Sequence, residues 1–140
     1  MTTLLLDASV LLAAFDPEDY HHEPARALLE DEGATLATLD LARYEVANVA
    51  VRAWQAPESV APLLAAIEKL ADDGGVIAST DTLLARAAEL AERHAISVYD
   101  AAYAAAADDA GHRLISCDER DLISKGLAER PGSGPTSRDP

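Results

Sequence analysis

Apolar runs of three to five residues alternate along the chain with longer stretches whose apolar positions recur every three or four residues. The first pattern marks short buried strands and the second marks amphipathic helices. Residues 3–7 read as a strand ending in Asp7, and Ser9 is placed to cap a helix through Val10, Leu11, Leu12 and Phe15. Asp16 to Asp19 form a loop. A second helix runs from about His22 to Asp31, with Ala25, Leu28 and Leu29 on one face and Gly33 as its stop. Residues 34–38 form a second strand, and the period is helical from about Asp40 to Trp54. Pro57-Glu58-Ser59 opens a helix through Leu63, Leu64, Ile67 and Leu70, in which Pro62 is tolerated because it falls in the first turn. After the Gly74-Gly75 break come a third strand at 76–78 and a helix to about His94 capped by Thr80 or Asp81. An extended link at 96–98 leads to an Ala-rich helix from Tyr99 to about Asp109, closed by Gly111. Residues 113–116 form a fourth strand, and a short helix covers 119–125. Strands alternating with helices predict an α/β sandwich around a parallel sheet, because parallel strands need crossover connections.

Length and composition narrow the choice. The 140 residues suffice for one domain with a real core, and 49% hydrophobic residues argue for a globular chain. Residues 1–128 are expected to form that domain, and 129–140, with Pro131-Gly132-Ser133-Gly134-Pro135, a flexible C-terminal tail. No stretch approaches the roughly 20 apolar residues of a membrane span. Met1-Thr2-Thr3 lacks a basic segment, so no secretory signal is expected. The lone Cys117 forms no internal disulfide and fits a reducing, cytoplasmic setting. Net charge is −14, from 25 acids against 11 bases, which disfavours a binder that holds nucleic acid through a basic patch. A nucleic-acid substrate would need metal ions or a local Arg cluster. The same charge suits cations or a basic protein partner.

The candidate chemistry lies in four acids placed where a chain normally avoids charge. Asp7 ends the apolar run Leu4-Leu5-Leu6, and Asp118 follows Leu114-Ile115-Ser116-Cys117. Both sit at carboxyl ends of expected strands, where open parallel sheets bind ligands; each is also in position to cap the next helix. At 100° per residue, Ala42, Val46, Val49 and Ala53 share one helix face, and Glu45 lies along that stripe rather than opposite it. Asp100 opens a helix of small apolar residues, where a carboxylate also complements the helix dipole. Carboxylates about 5 Å apart repel by roughly 3 kcal/mol per pair at an effective dielectric near 20. Such a set is tolerable only if it binds cations or takes up protons. Asp121, one turn beyond Asp118, is a candidate fifth member, and Ser9 and Ser116 are placed to orient the acids by hydrogen bonding. Arg43 and Arg52 flank Glu45, and Arg120 lies near Asp118; these are the candidate contacts to a phosphate backbone.

Other residues carry less. His21 and His22 sit in an acidic loop without a His-Glu-x-x-His pattern and read as surface residues. Tyr44, Tyr99 and Tyr103 read as packing residues, as does Trp54. A phosphatase built on an Asp nucleophile usually carries a second acid two residues later, where this chain has Ser9. A phosphoacceptor receiver would need a pocket lysine, and neither Lys69 nor Lys125 follows a strand.

Four segments together resemble the PIN domain nucleases, specifically the VapC-type toxins of toxin–antitoxin pairs. They are Leu-Leu-Asp-Ala-Ser at 5–9, Tyr-Glu-Val-Ala-Asn at 44–48, Tyr-Asp-Ala-Ala-Tyr at 99–103 and Ile-Ser-Cys-Asp-Glu-Arg-Asp-Leu at 115–122. Each motif is short; their order and spacing make the set specific, and the likeness covers about residues 3–127. The resemblance implies a three-layer α/β/α sandwich with a central, mainly parallel sheet of four to five strands. It implies an endoribonuclease that hydrolyses RNA phosphodiester bonds with Mg²⁺ or Mn²⁺, the toxin of a type II pair. Its acidic quartet falls on Asp7, Glu45, Asp100 and Asp118, with Asp121 as an additional acid and Ser116 as the Ser or Thr preceding the fourth. The implied partners are an RNA substrate, such as a tRNA or another structured RNA, a cognate antitoxin, and a second copy of the chain in a homodimer. Leu11, Leu12, Phe15, Leu28 and Leu29 would form an antitoxin groove, a dimer face or ordinary core. The alternative is a non-catalytic PIN-like module that binds protein or RNA.

Overall fold

The computed structural model describes residues 2–72 and 75–132. Four parallel strands form the sheet: β1 (Leu4–Leu6), β2 (Leu36–Leu39), β3 (Val76–Ile77) and β4 (Arg113–Ile115), in the order β3-β2-β1-β4. Leu4 lies opposite Leu36 on one side and Arg113 on the other, and Thr38 lies opposite Val76. All three leucines of β1 are buried, as befits a central strand covered on both faces. The covering helices are α1 (Ala8–Phe15), α2 (His22–Glu30), α3 (Leu41–Arg52), α4 (Val60–Ala71), α5 (Asp81–His94) and α6 (Val98–Ala110). They lie on both sides of the sheet, so the molecule is the α/β sandwich that the alternation of periods predicts. A five-residue helical turn, Glu119–Ile123, follows β4. Its bonds are of the wide π type, Ile123 N–H to Asp118 C=O at 3.0 Å and Ser124 N–H to Glu119 C=O at 2.8 Å.

Small side chains set the depth of α6. Ala101, Ala102 and Ala104 to Ala107 are all buried, which lets the helix backbone approach the sheet closely. Tyr103 is the one large residue in this buried run. Gly111 closes the helix at φ 72°, the left-handed conformation that costs glycine least.

Several local expectations shift. The first helix is capped by Asp7, whose carboxylate accepts from the Ser9 and Val10 amides, and not by Ser9. The stop of α2 is Asp31 in extended conformation; Gly33 has no left-handed φ and instead donates its N–H to Asp31 Oδ1 at 2.9 Å. Strand β2 starts two residues later than expected, and β3 ends before Ala78. Pro57–Ser59 is a separate 3₁₀ turn ahead of α4. The link before α6 is shorter than 96–98, because Ser97 accepts the Asp100 amide and the helix starts at Val98. In α3 the buried stripe is Ala42, Val46 and Ala50; Val49 is half-buried and Ala53 exposed. Tilting the stripe this way leaves Glu45 at its edge, half-buried.

The segment after Lys125 crosses back to the sheet edge. Glu129, expected to begin the tail, forms a single parallel bridge to Ile115, and Pro131 is buried. Residues 133–140 of that expected tail, and Gly74 of the expected break, lie outside the described residues.

Candidate active site

Strand order brings the acids together. β1 and β4 are neighbours, so Asp7 and Asp118 leave the sheet at adjacent carboxyl ends. Both also act as helix caps: Asp118 Oδ1 accepts the Asp121 amide at 3.0 Å. The capping role and the site role therefore coincide. Helix α6 starts at the same end and presents Asp100 from its first turn. Asp100, Asp118 and Asp121 each offer a carboxylate oxygen within 4.8 Å of the other two. Asp121 is thus a member of the cluster.

Asp7 and Glu45 join this cluster electrostatically. Asp7 is 5% exposed, and burial, with Asp100 adding to it, pushes its carboxyl up to about 6 against the hydrogen bonds that favour the ion. Those bonds come from Ser116, from Ser9 Oγ at 2.5 Å and from the Val10 amide. The Ser9 and Ser116 hydroxyls lie 3.4 Å apart, Ser9 Oγ accepts the Cys117 amide at 2.8 Å, and Ser116 Oγ accepts the Asp118 amide at 2.9 Å. The two serines therefore tie the Asp7 and Asp118 loops into one hydrogen-bonded unit. Burial also raises the Glu45 carboxyl, and Asp100 adds repulsion. Asp100 is itself raised by desolvation and then by Asp118 and Asp121.

Neutralisation from the protein is slight. Among the described residues the ion pairs of this region reach Asp121, through Arg120 Nε at 3.3 Å, and not Asp7, Glu45, Asp100 or Asp118. The donor set is carboxylate oxygen alone, the ligand type of hard divalent cations. These residues fit such an ion: converging acids without cationic partners cost free energy until a cation arrives.

Three readings from the sequence change here. Tyr44 and Tyr99 do not pack inside; they are 76% and 61% exposed. With Leu84 and Val98 they line a pocket of about 260 Å³ whose polar edge is Asp40 hydrogen-bonded to Ser79. His22 is no surface residue, because its Nδ1 lies 2.8 Å from the Ala13 carbonyl and joins α1 to α2. Of the expected apolar face on the first helices, Leu11 is core, Leu12, Leu28 and Leu29 are half-buried, and Phe15 is exposed. Arg43 and Arg52 are exposed on the helix that carries Glu45. Tyr103 was legible only as a packing residue, yet its hydroxyl donates to Glu45 Oε1 at 2.6 Å. Its place one turn beyond Asp100 was the signal available in the sequence.

Comparison with known proteins gives the family. A family model described as PIN domain matches residues 4–125. The chain belongs to the PIN domain family. It is 34% identical over 130 residues to Ribonuclease VapC3 of Pyrobaculum aerophilum, spanning 87% of this chain and 93% of that protein. In fold it matches VapC20 of Mycobacterium tuberculosis, described as a sarcin-ricin loop cleaving toxin, with TM-score 0.73 and 21% identity over 92% of this chain and 100% of that one. A toxin–antitoxin complex from Klebsiella pneumoniae contains a chain that matches with TM-score 0.67 and 18% identity, covering 92% and 98% of the two chains. Among the described residues of this PIN domain, no helix is long and apolar enough to cross a membrane.

Proposed function

We propose that this PIN domain is the ribonuclease toxin of a toxin–antitoxin pair, hydrolysing RNA phosphodiester bonds with Mg²⁺ or Mn²⁺ held by Asp7, Glu45, Asp100 and Asp118. The convergence of Asp100, Asp118 and Asp121 within 4.8 Å carries the reading. Relatedness to a ribonuclease of the same family supports it. When bound, a divalent ion supplies positive charge that offsets charge developing on the phosphodiester and makes water nucleophilic near neutral pH.

The rest is the work of the chain. Asp100 and Asp118 supply oxygens from two elements that meet at the sheet end, and Asp121 joins them from the turn after β4. Ser9 and Ser116 hold the Asp7 carboxylate in the orientation of an N-cap, so its second oxygen has a fixed direction. Arg43, Arg52 and Arg120 are exposed, Arg120 lies against Asp121, and their guanidinium groups are the charge type that engages an RNA backbone. A tRNA or another structured RNA is the expected substrate. The antitoxin is expected to bring a basic segment, with an arginine against the carboxylates. Tyr44, Leu84, Val98 and Tyr99 supply the exposed apolar surface through which a homodimer would form.

The test is RNA cleavage with Mg²⁺ or Mn²⁺, with EDTA, and with Asp100→Asn. Cleavage is expected only in the first case. Undiminished cleavage by the variant, or none by the native chain across a set of structured RNAs, would remove the proposal.

A further inference from the structure

We propose that Tyr103 is a positioning residue that fixes Glu45 relative to Asp100, and so sets the spacing of their carboxylates. The inference rests on the ribonuclease reading and deepens it.

One oxygen makes the connection. Tyr103 is 2% exposed and sits three residues after Asp100 on α6. Its hydroxyl donates to Glu45 Oε1 on α3 at 2.6 Å. The helices bearing Glu45 and Asp100 are therefore tied together by a single phenolic group. Among the described residues Glu45 Oε2 has no hydrogen-bond partner, so the tether holds one carboxylate oxygen and leaves the other for the site. A glutamate side chain loses much rotamer freedom when ordered, and a buried tether supplies that ordering before any ligand binds. Packing alone asks only for a ring here. A buried hydroxyl is costly without a partner, and the partner here is the carboxylate of a site residue.

The chemistry is that of an outer partner to a metal ligand, whose loss typically lowers metal affinity or activity by 10–100-fold. The variant is Tyr103→Phe, which keeps the ring and removes the oxygen; Tyr103→Leu gives a second hydroxyl-free chain if Phe is not tolerated. Circular dichroism first establishes that the variant is folded at the assay temperature. Mn²⁺ binding is then followed by electron paramagnetic resonance, without RNA, and kcat and KM are measured separately on a cleaved RNA. The expected result is a fall of roughly 10-fold or more in Mn²⁺ affinity and kcat, with KM for RNA little changed. In a Glu45→Gln background the same tyrosine substitution should add almost nothing, because Tyr103 acts through Glu45.

Native levels of Mn²⁺ binding and kcat in folded Tyr103→Phe would overturn the inference. So would a loss of equal size with and without Glu45→Gln. A native chain that neither takes up Mn²⁺ nor cuts RNA would instead overturn the ribonuclease reading, and this role with it.

Discussion

Replacing Asp7 by Asn should make the metal-free protein more stable at neutral pH while destroying its activity. Asp7 rises from 3.8 to about 6 on folding because its carboxylate is buried without a cationic partner. A group raised in this way contributes stability that is fully present below its unfolded value and lost as pH rises through the folded one. At pH 7.5 the ionised form therefore costs roughly 3 kcal/mol, at about 1.4 kcal/mol per pH unit of displacement. Near pH 5 the penalty shrinks to about half of that. Asn keeps the side-chain oxygen that caps α1 and removes the charge. Urea denaturation in EDTA at pH 7.5 should show Asp7→Asn to be roughly 3 kcal/mol more stable than the native chain, about 10 °C in Tm for a domain of this size. The gap should narrow steadily as pH falls towards 5. Adding Mn²⁺ should nearly close the gap at 100 times its Kd, where it stabilises the native chain by about 2.7 kcal/mol, and reverse the order at 1,000 times, about 4.1 kcal/mol, since it has little hold on the variant. An Asp7→Asn protein no more stable than native at pH 7.5, or a gap that does not change with pH, would refute the reasoning.

Three further outcomes are expected of the same molecule. Gly75→Ala should cost about 1–3 kcal/mol in urea denaturation, because an added Cβ would meet the backbone oxygens of Leu36 at 2.4 Å and Leu70 at 2.8 Å, which cannot swing aside. Arg120→Glu should weaken RNA binding and reduce its log–log salt slope by about one, read by fluorescence anisotropy across a salt series; an unchanged slope would place Arg120 away from the phosphates. Sedimentation equilibrium should find the native chain in the proposed dimer and Tyr44→Ser with Tyr99→Ser as a folded monomer, since both rings are mostly exposed in the isolated chain; a monomeric native chain would remove this interface.

The fold was legible because its elements carry strong periods. β1 is three leucines in a row, and α6 is alanine at seven of its 13 positions and ends at a glycine that takes the left-handed conformation. Boundaries were less legible, since a cap is decided by which side chain reaches the free amides. Asp7 and Ser9 both qualify by type, and the extended backbone at Asp7 settles the choice. The acids were visible one by one as charges in apolar settings. Their convergence was not, because it depends on β1 and β4 being neighbours, and the pairing of segments more than 100 residues apart leaves no local trace. Tyr103 packs as expected, and its hydroxyl contact was missed for the opposite reason. Burial and period describe its ring correctly and say nothing of its hydroxyl. Tyr44 and Tyr99 were assigned to packing on aromatic character alone, although each adjoins a site acid on a helix surface.

The central claim is that acids from β1, α3, α6 and the turn after β4 hold one divalent-cation centre. Anomalous scattering from crystals soaked in Mn²⁺ tests it directly. A peak within about 2.5 Å of the Asp100 and Asp118 carboxylates is predicted, and its loss in Asp100→Asn crystals. A map with no peak at the sheet end, or with Mn²⁺ bound only at other surface acids, would contradict it.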